Sequence, residues 1–246
     1  SDFAQATAAS ASMVWFTGLQ IETFGNSFGL TNQISLGHLG FPITVLGIVF
    51  VTNAYNLMDG SDGITSSLCL LALISIIMND ILYSNFYFNP ISIALTGCLI
   101  PFLWFNLIKS NKNKIFLGDS GSLFLGYIIS CLLLYSTQIT KNISPTYALW
   151  IIAIPIFDAI TVMLYRKKES YSLFSPDRSY LHHFLERLGI SNRVVLLLII
   201  GFGASIAFLG SLIENTFQFL SFPIFLLLFL IYVWLRVFSS FSKYNK

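Results

Sequence analysis

The sequence predicts an all-α polytopic membrane protein of about eight transmembrane helices, on three observations. Only 10% of its 246 residues are charged and 55% are hydrophobic, against about 25% charged in ordinary soluble domains. Apolar runs near the ~20 residues needed to cross a bilayer recur along the chain, and mean hydropathy is +0.76. Lys and Arg then fall almost entirely on one side of the implied spans. This composition excludes a soluble domain, a disordered tail and a nucleic-acid binder with a basic face.

In order, the candidate spans are 3–18, 37–54, 64–83, 91–108, 121–138, 145–165, 193–213 and 217–238. The first is diluted by Gln5, Thr7 and several Ser and Ala, which suit close helix packing. Short connections leave no inserted soluble domain, so residues 1–246 are expected to form one integral-membrane domain. Eight spans place both ends on one side, together with the loops at 55–63, 109–120 and 166–192. Of the 13 Lys and Arg, only Lys141 falls on the other side, so the first side is expected to be cytoplasmic. Cys69, Cys98 and Cys131 lie inside apolar runs without C-x-x-C spacing and read as small hydrophobes.

Three polar clusters interrupt the apolar chain, all on the predicted cytoplasmic side. N-A-Y-N-L-M-D-G-S-D-G at 53–63 carries Asn53, Asn56, Asp59 and Asp62. W-F-N followed by F-L-G-D-S-G-S-L carries Asn106 and Asp119. D-R-S-Y-L-H-H-F-L-E-R at 177–187 carries Asp177, Arg178, His182, His183 and Arg187. Singly, the Asp-Gly pairs read as turns and helix caps, and the histidines as a solvated loop. Together they read as one cytoplasmic cleft. At helical spacing Asn53, Asn56 and Asp59 share a face of one helix end, and polar groups there need partners or a wet cavity. Asp119 begins a helix after a glycine-flanked turn, which suits phosphate. Histidine and arginine of the third cluster are expected to bind further phosphate oxygens. Carboxylates around such a site suit a magnesium-bound pyrophosphate. Asp158 lies about 12 Å inside its span at helical rise, a costly depth. It is expected to belong to the site, the other reading being a structural pair with Arg166.

These motifs resemble the bacterial polyprenyl-phosphate N-acetylhexosamine-1-phosphate transferases, the family that starts O-antigen, common-antigen and teichoic acid synthesis and includes the translocase that makes lipid I. The resemblance covers roughly residues 5–235 and looks closer to the O-antigen and common-antigen branch. It implies transfer of sugar 1-phosphate from a UDP-N-acetylhexosamine to undecaprenyl phosphate, giving undecaprenyl-diphospho-sugar and UMP. It implies Mg²⁺ as cofactor, with Mn²⁺ as a substitute, and a multi-pass place in the bacterial inner membrane. Expected partners are the two substrates, membrane lipid and a second copy in a homodimer, with no nucleic acid.

By the same resemblance Asp119 is the metal ligand, and Asp59, Asp62, His182 and His183 are catalytic. Asn53, Asn56, Asn106, Asp158 and Arg178 are substrate-binding. Two departures stand out. The family's H-x-H-H begins here with Tyr180, a phenol that cannot be a cation at pH 7. The family also carries an Asp-Asp pair just before the span matching 5–18, where this chain has only Asp2. The chain is therefore expected to be the later part of a longer product. A catalytically inactive membrane partner is the first alternative and a small-solute transporter the second, though a transporter places acids near the midplane of several helices.

Overall fold

A computed structural model describes residues 2–25, 35–83, 89–107, 114–168 and 180–244, with side chains from 4 to 236 within those ranges except at position 168. Among the described residues ten α-helices follow one another: α1 Asp2–Thr17, α2 Gly40–Leu57, α3 Ile64–Tyr83, α4 Pro90–Leu107, α5 Gly118–Gln138, α6 Pro145–Ile151, α7 Ala153–Lys168, α8 Leu181–Arg187, α9 Asn192–Thr216 and α10 Gln218–Tyr244. Among the described residues the only β pairing is an isolated bridge between Thr23 and Ser35. The molecule is all-α and multi-pass, as its composition requires.

Among the described residues, six helices are long and apolar enough to cross a membrane, and the bent pair α6–α7 brings the number to seven. The expected 3–18 segment also forms a helix, α1, with 16 residues among those described. The single span expected at 145–165 is instead broken by 77° between α6 and α7. Pro155 explains the position of the break, because its ring clashes with the carbonyl four residues back, that of Ile151, and it donates no N–H.

The core is continuous across most of the bundle. Ile64, Leu68, Ala72 and Ile76 of α3 pack with Tyr55 and Met58, Ile129 of α5, Trp150 of α6, Phe157 of α7 and Ile199 of α9. A smaller cluster of Val14, Val45, Ile48, Val49 and Leu134 seats α1 against α2 and α5. Large side chains such as Trp104, Leu197 and Leu227 are exposed, as suits lipid-facing surfaces of α4, α9 and α10. One close approach sets the site. A Cβ at Gly126 of α5 would lie 3.0 Å from Thr52 Cα, so glycine lets α5 rest directly on the α2 backbone. The end of α2 and the start of α5 thereby meet at the same end of the bundle.

Candidate active site

The first cluster is a helix end followed by a tight turn. After Leu57 closes α2, Asp59 N–H donates to Asn56 O at 3.1 Å and Gly60 N–H to Met58 O at 2.8 Å. Gly63 then takes φ +77° and the chain enters α3. Asp59 thus lies past the helix, which corrects the expectation that it shares a helical face with Asn53 and Asn56. Asn53 turns back on its own helix, its Nδ2 donating to Val49 O at 2.7 Å. Asn56 Nδ2 donates to Ser122 Oγ at 2.9 Å, and Ser122 Oγ donates to Asp119 O at 3.0 Å. Neither asparagine lines the cavity described below; Asn56 ties the first cluster to the opening turn of α5.

The second cluster supplies the facing wall. Asn106, buried near the end of α4, donates Nδ2 to Ile115 O at 2.7 Å. Its Oδ1 is buried without a hydrogen-bond partner. Gly118, at φ +66°, turns the chain into α5, and Asp119 sits exposed in its first turn. No side chain caps that helix start, so the first-turn N–H groups and the positive end of the helix dipole are available to an anion. Asp62 forms an ion pair with Lys114, whose ammonium also lies 5.3 Å from the centre of the Phe116 ring.

Between these walls is a cavity of about 250 Å³ lined by Asp59, Asp62, Gly63, Asn106, Gly118 and Asp119, among others. Three carboxylates and one amide expected from the sequence are therefore brought together. Burial pushes the Asp59 carboxyl up to about 6, against a lowering hydrogen bond from Thr65, and the charges of Asp119 and Asp62 push it further the same way. Among the described residues no three His, Cys, Asp or Glu side chains form a ready-made metal cage.

The third cluster docks on the first. His182 of α8 is fully buried, with its ring against Gly60: a Cβ there would fall 2.4 Å from His182 Nε2. Tyr180 stacks parallel to it at 6.1 Å, and the His183 ring centre is 4.1 Å away. Neither His182 ring nitrogen has a hydrogen-bond partner. Burial lowers its pKa to about 4, and neighbouring His183 lowers it further. With its pKa held down in this way, the His182 imidazole is uncharged near neutral pH. Tyr180, at the first position of the histidine motif, accepts a hydrogen bond from Arg166 Nη2 at 3.2 Å.

Glu186, which carries no role in the sequence reading, is the latch. Ser61 Oγ donates to its Oε1 at 2.8 Å, and its Oε2 lies 3.0 Å from His183 Nδ1. Burial would raise its pKa, but hydrogen bonds from His183 and Ser61 hold it below the usual value. The available signal was spacing, since residues three apart on a helix are neighbours. Asp177 and Arg178 lie outside the described residues.

Asp158 is beside this site rather than in it. Fully buried, it accepts Leu181 N–H at 2.9 Å on Oδ2, and Tyr232 OH at 3.0 Å and Arg236 Nη2 at 3.4 Å on Oδ1. Both oxygens thus accept hydrogen bonds from within the bundle. Its cationic partner is Arg236 of α10 rather than Arg166. The carboxylate fixes the first residue of α8 and so the position of His182.

A profile of glycosyl transferase family 4 matches residues 3–137, which hold the first two clusters. The chain is 34% identical over 240 residues to an undecaprenyl-phosphate alpha-N-acetylglucosaminyl 1-phosphate transferase of Yersinia pestis, covering 94% of this chain and 64% of the relative. It is 33% identical over 225 residues to the protein of the same name from Escherichia coli strain K12, covering 89% and 61%. A Bacillus subtilis protein named "Probable undecaprenyl-phosphate N-acetylglucosaminyl 1-phosphate transferase" is 36% identical over 200 residues, covering 80% and 55%. The matches thus span between 55% and 64% of those relatives' lengths.

Proposed function

The chain belongs to glycosyl transferase family 4, and from that premise we propose that it transfers N-acetylhexosamine 1-phosphate from a UDP-sugar to undecaprenyl phosphate. An oxygen of the lipid phosphate attacks the sugar-bearing phosphorus, the bond to the UMP phosphate breaks, and UMP departs. The product is undecaprenyl-diphospho-sugar. N-acetylglucosamine is the hexosamine that the relatives' names favour. The motif end of the bundle faces the cytoplasm, by the distribution of Lys and Arg, in the bacterial inner membrane.

The observation carrying this reading is the cavity where Asp59, Asp62, Asn106 and Asp119 converge beside the uncapped start of α5. Hard oxygen donors on one or two carboxylates suit Mg²⁺, which takes its remaining ligands from phosphate and water. Crowding of Asp59 by Asp119 and Asp62 leaves negative charge that a cation relieves, so the residues fit the metal. Asp119 and Asp59 would hold it. Bound there, Mg²⁺ supplies neutralisation of the pyrophosphate and of the leaving phosphate. The α5 N–H groups orient a phosphate, and the unpaired Asn106 Oδ1 accepts a hydrogen bond from the donor substrate. His182, buried against Gly60, seats α8 on the 59–63 wall of the cavity.

The test is Mg²⁺-dependent release of UMP from UDP-N-acetylglucosamine by the membrane-embedded protein with undecaprenyl phosphate present. Asp119→Asn is expected to lower turnover by roughly 100-fold or more, the scale on which one transition-state charge contact acts. Retention of more than about a tenth of wild-type turnover, under 1.4 kcal/mol of barrier, overturns the assignment of Asp119.

A further inference from the structure

A second polar cavity, of about 350 Å³, lies at the opposite end of the bundle, lined by Asn79, Tyr83, Lys141, Tyr147, Ser211 and Glu214 among others. The last turns of α3 and α9 contribute Asn79, Tyr83, Ser211 and Glu214, and Lys141 follows just after the end of α5. Both carboxylate oxygens of Glu214 are buried and have no hydrogen-bond partner. An ionised carboxylate offers about four acceptor positions, and leaving them empty away from water is costly. Nearby acids at this end are satisfied differently: Asp80 accepts Asn89 N–H at 3.1 Å and the Asn142 amide.

Glu214 sets the sign of what fills this cavity. The C-termini of α3, α5 and α9 reach it, but so do the N-termini of α6 and α10, at Ser144 and Gln218, and the partial charges of opposite helix ends offset one another. A compact cation with several N–H donors matches both the Glu214 charge and its empty acceptors. Lys141 at the rim gives Glu214 no hydrogen bond. It adds a positive charge beside the negative pocket, an arrangement complementary to a group bearing an ammonium and an anion a few atoms apart. The volume holds a small headgroup, since a water molecule takes about 30 Å³.

We propose that this cavity binds a primary ammonium, from an aminophospholipid headgroup or a free amine, with Glu214 as its anchor. The experiment uses the purified full chain in detergent. Phosphatidylethanolamine, phosphatidylglycerol and free ethanolamine are the probes, read by native mass spectrometry and thermal unfolding. Phosphatidylethanolamine is expected to bind and raise the unfolding temperature of wild type, and phosphatidylglycerol is not. Glu214→Gln is expected to weaken that binding roughly tenfold or more, as loss of a charged hydrogen bond does. A Glu214-dependent shift with ethanolamine as well identifies the free amine as sufficient; a shift with the lipid alone identifies the headgroup. Equal responses of wild type and Glu214→Gln, or of the two lipids, overturn the proposal. Should Glu214→Gln fail to fold, carbodiimide labelling of Glu214 in the wild-type chain decides. Protection by phosphatidylethanolamine over phosphatidylglycerol supports the site, and equal labelling overturns it.

Discussion

Asp119, at the start of α5, and Asp158, inside α7, are both acids that the sequence singles out, yet they occupy opposite surroundings. Asp119 is exposed at the start of α5, on a cavity it shares with two other carboxylates. Asp158 is fully buried, with an N–H, a phenol and a guanidinium on its two oxygens. The first has acceptor capacity left for a ligand. The second uses both oxygens to hold α8 to α7 and α10. Two acids that the sequence presents alike thus differ in their partners.

The sharpest way to break this contrast is to remove the closed acid. Asp158→Asn is expected to lower stability by about 3 kcal/mol, because it breaks a buried hydrogen-bonded ion pair and weakens the hold on Leu181 and Tyr232. Thermal unfolding in detergent measures this. An unchanged unfolding temperature with lost turnover would instead place Asp158 on substrate.

A second test uses acid. His182 has a folded pKa of about 4 against about 6.5 in an unfolded chain. Between those values the unfolded state binds more protons, so stability falls as pH falls through 6.5 and the loss is complete below about 4. The effect amounts to roughly 3 kcal/mol at about 1.4 kcal/mol per unit. The groups facing His182 are His183, Glu186 and Arg236, so the variant His182→Gln serves as the reference. Hydrogen exchange at residues 180–187 should rise between pH 6.5 and 4 in wild type and respond less in the variant. Identical profiles would contradict a buried neutral imidazole.

A smaller effect is expected from Gly60→Ala. The added Cβ meets His182 Nε2 at 2.4 Å, so the α8 ring must shift, at about 1–3 kcal/mol for overpacking. Turnover should fall with it while the rest of the bundle keeps its unfolding temperature to within that amount. A variant with wild-type turnover would show that α8 need not sit on the first cluster.

How far the sequence could be read follows the same division. Spans α2 to α5 were legible because each is a single apolar run with clear ends. The meeting of Asp59, Asp62, Asn106 and Asp119 was legible because their clusters fall on one side. Helical periodicity failed at Asp59, since α2 stops at Leu57 and a turn re-aims the chain. The break between α6 and α7 was signalled by Pro155, but an unbroken hydropathy run concealed it. The Asp158 partners were not legible, because Tyr232 and Arg236 lie more than 70 residues away and no local pattern pairs them. Glu214 lies between two apolar runs with no motif around it. Its empty acceptors appear only in the folded chain.

The most direct measurement is the Mg²⁺ dependence of UDP-N-acetylglucosamine binding to the protein in nanodiscs, compared between wild type, Asp119→Asn and Asp158→Asn. The account predicts that Mg²⁺ tightens binding in wild type and that Asp119→Asn abolishes this with its unfolding temperature unchanged. Asp158→Asn should keep the Mg²⁺ dependence at temperatures where it stays folded. Undiminished Mg²⁺ dependence in Asp119→Asn, or its loss in folded Asp158→Asn alone, would contradict the division between the open acid and the closed one.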